Sequence, residues 1–234
     1  MSIRDNIAAV QEQIAAAAKR SGRSPSDIAL IAVTKTHPPD RIRKAYESGL
    51  RLFGENRVQE FSTKAGTLAA LANAEWHMIG HLQTNKAAKA AELFSAVDSV
   101  DSVKLAERLA AAARPLKKRL QILIEVNVGG EAAKSGVDPG SPELEDLLKA
   151  APRLEALNFR GLMTVPPFTE DPEGARPYFR RLRTLRDQIV TRNLPAITLE
   201  ILSMGMSHDF AVAIEEGSTC IRIGTAIFGE REKP

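Results

Sequence analysis

The stretch IALIAVTKTHPPDRIRKAYESGLRLFGEN, residues 28–56, reads as a strand, a helix and a second strand in that order. IALIAVTK (28–35) is a short apolar run, 39–48 carries a helical pattern, and Gly49 stands where a helix-ending glycine belongs before LRLFGEN (50–56). The same alternation continues outward. Further strands are EWHMIG (75–80), FSAVDSV (94–100), LQILIEVNV (120–128), FRGLMTV (159–165), TLEILSMG (198–205) and STCIRIGTAIFG (218–229). Helical stretches of ordinary length fall between them at 57–71, 84–91, 101–113, 142–150, 174–191 and 208–216, the last closed by Gly217. Ahead of the first strand, Ile7, Val10, Ile14 and Ala17 recur at helical spacing, so 2–20 is an amphipathic helix ended by Ser21-Gly22.

Strands and helices alternating in one run call for a parallel sheet, and eight such units call for closure. The expected fold is α/β: a single (β/α)8 TIM barrel with an extra N-terminal helix, one domain over 1–234, and no second β-domain. An open doubly wound sheet is the rival, weakened because no G-x-G-x-x-G follows the first strand. Composition agrees. The chain has 234 residues, 44% hydrophobic and 26% charged, which excludes a disordered chain. Its net charge of +3 is too small to imply a nucleic-acid or membrane partner, even with a pI near 9.1. The one cysteine, Cys220, cannot form an internal disulfide and reads as a small buried hydrophobe. No apolar run approaches the ~18 residues of a membrane span, and Asp5, Gln11 and Glu12 interrupt any signal-peptide core. A cytoplasmic protein is expected.

Barrel enzymes keep their chemistry at the C-terminal mouth, so candidates are sorted by that face. Lys35 ends the first strand, and alternation puts Ala29, Ile31, Val33 and Lys35 on one side. If that side is inward, an amine stands at the mouth, where desolvation suits it to Schiff-base chemistry; the alternative is a lysine snorkelling from a strand end. Ser203-Met204-Gly205-Met206-Ser207 follows strand seven, with Gly205 allowing close backbone approach and Ser207 able to cap the next helix or donate to an anion. Gly224 and Thr225 lie in the last strand's run, and barrels often hold phosphate between the loops after strands seven and eight. Arg222 lies within that strand, with Cys220 and Gly224 on its own face. Either that face is solvent-exposed or something inside the barrel accepts its hydrogen bonds, and with no acid near it on the strand a bound ligand is one such acceptor. Asn56 and His81 could contact a ligand at the mouth, or cap a helix and sit in a solvated loop respectively. His77 reads as a packed residue. No cluster has metal-ligand spacing, and neither a P-loop nor G-x-S-x-G is present.

Seven pieces in order, AVTKTHP, FGENRVQE, WHMIGHLQTNK, KSGV, GLMTVPP, LSMGMSHDF and IRIGTAIFG, resemble the YggS/PROSC family of pyridoxal 5′-phosphate (PLP) homeostasis proteins. That family in turn resembles the N-terminal barrel of alanine racemase. The resemblance implies that Lys35 forms the aldimine with PLP, and that Ser207, Gly224 and Thr225 hold the phosphate with Ser203 and Met204 close by. It further implies that Arg222 faces the pyridine nitrogen, Asn56 lines the ring, and the loop lysine Lys134 meets the cofactor. It implies no catalytic residue and no metal: a PLP carrier or regulator, with transient contact with PLP-dependent apo-enzymes expected. A guanidinium at the pyridine nitrogen keeps that nitrogen unprotonated, making the ring a poor electron sink. The alternative is an amino-acid racemase, which needs a second base. In alanine racemase that base is a tyrosine of a separate C-terminal domain, expected to be absent here, while Tyr46 and Tyr178 fall in outer helices. A Schiff-base aldolase without cofactor would leave Arg222 without an acceptor. A monomer is expected, because the racemase's main dimer surface belongs to that separate domain.

Overall fold

The computed structural model describes residues 2–131 and 134–230. Eight parallel strands close into a barrel in sequence order, β1 pairing with both β2 and β8. They are β1 (Ala29–Val33), β2 (Leu52–Glu55), β3 (Glu75–Met78), β4 (Ala96–Val100), β5 (Leu120–Glu125), β6 (Leu157–Met163), β7 (Ile197–Ser203) and β8 (Cys220–Ile223). Around them run α2 (Pro39–Glu47), α3 (Val58–Leu68), α4 (Ala87–Leu93), α5 (Val103–Ala113), α6 (Pro142–Ala150), α7 (Arg176–Val190) and α8 (Phe210–Glu215). The helix ahead of the barrel, α1 (Ile3–Arg20), opens with a reciprocal cap between Ser2 and Asp5 and buries Ile7, Val10, Ile14 and Ala17. This is the (β/α)8 TIM barrel with an N-terminal helix that the alternation predicts. Gly49 and Gly217 both take left-handed φ, +100° and +98°, directly after α2 and α8.

Three boundaries differ from the sequence reading. The run 218–229 is not one strand: β8 stops at Ile223, and α9 (Thr225–Phe228) turns back on itself through Ile227 and Phe228 amides bonded to the Gly224 carbonyl. Apolar residues on both sides of Gly224 hid the change, because Ile227 and Phe228 are buried beside α1, where Asn6 donates to the Ile227 carbonyl at 2.9 Å. The last strand is therefore followed by a helical turn after all. The helix expected at 84–91 opens as a 3-10 turn over Thr84–Lys86, and the α-helix proper, α4, starts only at Ala87 and runs to Leu93. β1 ends at Val33, two residues short of Lys35.

Outward strand residues pack under the helices as the main apolar core, with Phe53, Trp76, Phe61 and Phe94 stacked between β2, β3, α3 and the end of α4. Each such ring removed from water contributes about 1.5–3 kcal/mol. The inward side differs, because it carries His77, Asp98, Glu125, Cys220 and Arg222. The TIM barrel thus keeps its apolar core between sheet and helices and a polar column along its axis. Among the described residues no helix is long and apolar enough to cross a membrane, and no group of three or more His, Cys, Asp or Glu could hold a metal.

Candidate functional site

At the C-terminal mouth the strands open into a cavity of about 600 Å³, whose lining includes Lys35, Glu125, Ser207, Arg222, Gly224 and Thr225. Lys35 reaches it from a turn. The alternation along β1 still holds beyond the strand's end: Val33 and Lys35 both line the cavity, and Ile31 faces Gly54 inside the barrel. The half-buried lysine sits between Thr34, whose hydroxyl donates to Glu55, and Thr36, whose φ of +66° puts a non-glycine residue in the left-handed region. The Thr36 amide donates to Glu60 Oε1 at 2.6 Å, so α3 holds the turn in that conformation.

Arg222 is inward and only 4% exposed, yet its acceptors are protein atoms. Nη1 donates to Ser203 Oγ at 2.6 Å and Nη2 to the Thr164 carbonyl at 2.7 Å. The reading of a bound ligand as the acceptor is corrected here, and with it the objection that an aldolase would leave this side chain without one. Both acceptors come from neighbouring strands and loops, out of reach of a reading along β8 alone. Burial pushes the guanidinium pKa down, opposed by Cys220, Asp98, Glu125 and Asp209, but an arginine starts so high that it stays charged.

Ser203 and Met204 are both fully buried, and neither lines the cavity. Ser203 stands behind Arg222, and Met204 packs in the apolar core. Met206 occupies the lining instead, since β7 ends at Ser203 and the loop reverses the alternation. Gly205 has φ +98°, and a Cβ there would lie 2.6 Å from the Ala213 Cβ. Its close approach is to α8, not to the cavity. Ser207 does not cap α8: that position is Asp209, whose Oδ1 takes the Met206 amide at 2.6 Å. The Ser207 hydroxyl instead accepts from the Ala226 amide at 3.4 Å, joining the β7–α8 loop to the first turn of α9. A Cβ on Gly224 would make only ordinary contacts, the nearest 3.5 Å away at Val33, so packing does not require glycine there and its missing side chain leaves room in the cavity.

Asn56 lines the cavity and is not the residue capping α3, a position taken by Arg57. His81 is at the rim, its Nδ1 3.3 Å from Asp101. Lys134 lines the cavity as well, paired with Glu131 and donating to the Pro166 carbonyl; Ala132 and Ala133 of that loop lie outside the described residues. His77 is packed at the opposite end of the barrel, its Nδ1 3.1 Å from Asp98. Cys220 is a free, buried thiol pushed up to about 12, first by burial. Tyr46 is on α2, its hydroxyl donating to the Ala72 carbonyl, and Tyr178 is on α7.

Glu125 escaped the sequence reading. It ends β5, four strands round the closed barrel from β1, and so faces Lys35 across the mouth. Its side chain is buried, with Oε2 lacking any hydrogen bond, and burial first, then Asp101, push its carboxyl up to about 7 against the pull of Arg222. The signal was a lone acid inside the apolar run LQILIEVNV, the same signal that exposed Arg222 in β8.

Residues 6–232 match the model of the alanine racemase N-terminal domain. A pyridoxal phosphate homeostasis protein of Aquifex aeolicus is 45% identical over 99% of this chain and all of its own length. The chain belongs to the family of pyridoxal phosphate homeostasis proteins. The Escherichia coli K12 member is 40% identical, covering 98% of this chain and 97% of its own. Among solved structures, PipY of Synechococcus elongatus, with PLP bound, superposes with a TM-score of 0.81 at 38% identity, over 97% of this chain and 100% of its own. The family assigned from the seven ordered motifs is thus the one the relatives share.

Proposed function

We propose that this protein binds PLP at the barrel mouth, held covalently by Lys35, and acts in intracellular PLP homeostasis as a carrier or regulator without robust catalysis. The observation that carries the reading is that Lys35 and the Ser207, Gly224 and Thr225 group line one cavity, in a chain whose relatives bear that name. PLP brings an aldehyde and a phosphate monoester. The Lys35 amine suits the first: its nitrogen replaces the aldehyde oxygen, which leaves as water, to give a Schiff base. Ser207, the Thr225 hydroxyl and the open space over Gly224 suit the second. Arg222, held by Ser203, keeps a permanent positive charge at the cavity floor, the partner that discourages protonation of a pyridine nitrogen. Asn56 lines the ring side, and Lys134 reaches the rim. In this reading Met204 contributes through the core, since its side chain is remote from the lining. We place the protein in the cytoplasm, as a monomer in transient contact with PLP-dependent apo-enzymes.

Borohydride reduction of PLP-loaded protein, then peptide mass mapping, should place the pyridoxyl mass on Lys35. A label mainly on Lys134 or Lys86 would overturn the assignment. Lys35→Ala should lose the visible absorbance of the loaded protein and keep its fold.

A further inference from the structure

Within the cavity the described lining cations, Lys35, Lys134 and Arg222, suit an anion, and one side chain runs against them. Glu125 is the single acidic residue among the described lining residues. It is 8% exposed, and its Oε2 makes no hydrogen bond. A buried carboxyl oxygen without a donor costs free energy that folding alone does not recover. Arg222, whose charge favours ionisation of Glu125, directs Nη1 and Nη2 at Ser203 and Thr164 instead, and Lys134 pairs with Glu131. The position adds to this. Glu125 lies on β5 and Lys35 follows β1, so the strand order of the closed barrel sets the two on opposite walls of the cavity that both line. At about 600 Å³ the space is in the range that takes a drug-sized ligand.

We propose that Glu125 makes the far wall of the cavity a subsite for the ammonium group of a second small ligand, a primary amine or amino acid, seated beside the phosphate-bearing aldehyde. An ammonium has three N–H donors and a full positive charge, and so supplies both things the Oε2 atom lacks. The proposal rests on the PLP reading for what occupies the near wall, but not for the ammonium subsite itself. Charged and titratable groups that bear on Glu125 are Asp101, which disfavours its ionisation, Arg222, which favours it, and the lining groups Lys35, His81, Lys134 and His208. An arriving ammonium favours ionisation, so it is taken up with release of a proton when Glu125 is neutral.

The test uses the whole protein, free of PLP, in phosphate buffer, with ethylamine and L-alanine as probes and ethanol and propionate as uncharged and anionic controls. Calorimetry should show both amines binding to the wild type, and about tenfold more weakly to Glu125→Gln. The controls should not depend on residue 125. Carbon-13 NMR of the Glu125 carboxyl should show its midpoint falling from about 7 when ethylamine is added. Equal amine affinity in wild type and Glu125→Gln, no amine binding at all, or an unmoved midpoint would each overturn the subsite. PLP loading is measured separately by visible absorbance: retained in Glu125→Gln, it leaves the cofactor reading standing whatever the amines do, and lost in both proteins it defeats that reading without touching the amine result.

Discussion

Lys64 Nζ lies 2.8 Å from Glu55 Oε1, a fully buried ion pair between α3 and β2, directly behind the turn that carries Lys35. The same ammonium reaches the Thr34 carbonyl at 3.1 Å, the His37 carbonyl at 3.4 Å and Glu60 Oε1 at 2.9 Å. Glu60 in turn takes the Thr36 amide. Both ends of the Lys35 turn are thus tied to one buried charge, which explains how Thr36 is kept at a positive φ.

Removing that charge leaves Glu55 buried and uncompensated. Burial already raises the Glu55 pKa against the pull of Lys64, so Lys64→Met should shift it further upward and cost roughly 3–5 kcal/mol. Urea denaturation at neutral pH reads the loss. The double variant Lys64→Met/Glu55→Gln should recover part of it, because the stranded carboxylate is gone. A single variant within about 1 kcal/mol of wild type would show the pair to be dispensable.

Glu125 makes a pH-dependent prediction with a definite sign. Its folded pKa of about 7 exceeds the usual 4.5 of a glutamate, so the folded state holds a proton that the unfolded chain has released between those values. Stability should therefore fall as pH rises from 4.5 toward 7 and level off above, by about 3 kcal/mol in all. Glu125→Gln, which is neutral throughout, should lack this slope and be more stable than wild type at pH 8. Parallel pH profiles for the two proteins would show that Glu125 titrates normally.

The fold was legible from the unit at 28–56, because its period repeats through the chain and a buried parallel strand announces itself as an apolar run. What failed was phase at run ends. Nothing local separates the strand Cys220–Ile223 from the helical turn Thr225–Phe228, since each carries a pair of buried apolar residues, Ile221 and Ile223 in the strand and Ile227 and Phe228 in the turn. Met206, to which the sequence assigned no role, lines the cavity because β7 ends at Ser203 and the loop after it breaks the alternation. Lys35 and Gly224 were legible at the mouth because alternation from a strand's centre carries one or two residues past its end. Partners from other strands were not. Ser203 and the Thr164 carbonyl satisfy Arg222 from the ends of β7 and β6, and Lys64 meets Glu55 across the sheet–helix interface, contacts that no reading of one segment contains.

Arg222 couples to several other titratable groups, Glu125 and Cys220 among them. It lowers the pKa of Glu125 and of Cys220, in each case against a larger effect of burial. Arg222→Gln should therefore raise both: the Glu125 midpoint should move above about 7, and the Cys220 thiol should become still harder to ionise. Carbon-13 NMR of the carboxyl and the pH dependence of thiol alkylation in the variant measure the two. An unchanged Glu125 midpoint would mean that the guanidinium does not sense the cavity wall.

Two glycines beside the same loops should respond oppositely to alanine. At Gly205 the φ of +98° is unfavourable to any L side chain, and the added Cβ would lie 2.6 Å from the Ala213 Cβ and 2.9 Å from the Phe210 Cα. Neither atom can swing aside, so α8 must move from β7 or the loop must refold. Gly205→Ala should lose about 2–3 kcal/mol in urea denaturation. At Gly224 the backbone has φ −110°, which alanine tolerates, and the Cβ would come no closer than 3.5 Å to Val33. Gly224→Ala should unfold within about 1 kcal/mol of wild type. Its methyl group would stand in the space assigned to the phosphate, however, and a charge-assisted hydrogen bond lost there is worth roughly 1.5–3 kcal/mol, or about tenfold to a hundredfold in affinity. Equilibrium titration with PLP, followed by visible absorbance, should show that loss in Gly224→Ala, while pyridoxal without phosphate should bind wild type and variant alike. If PLP binds Gly224→Ala as tightly as wild type, the phosphate sits elsewhere in the mouth, and the roles proposed for Ser207 and Thr225 fall with it.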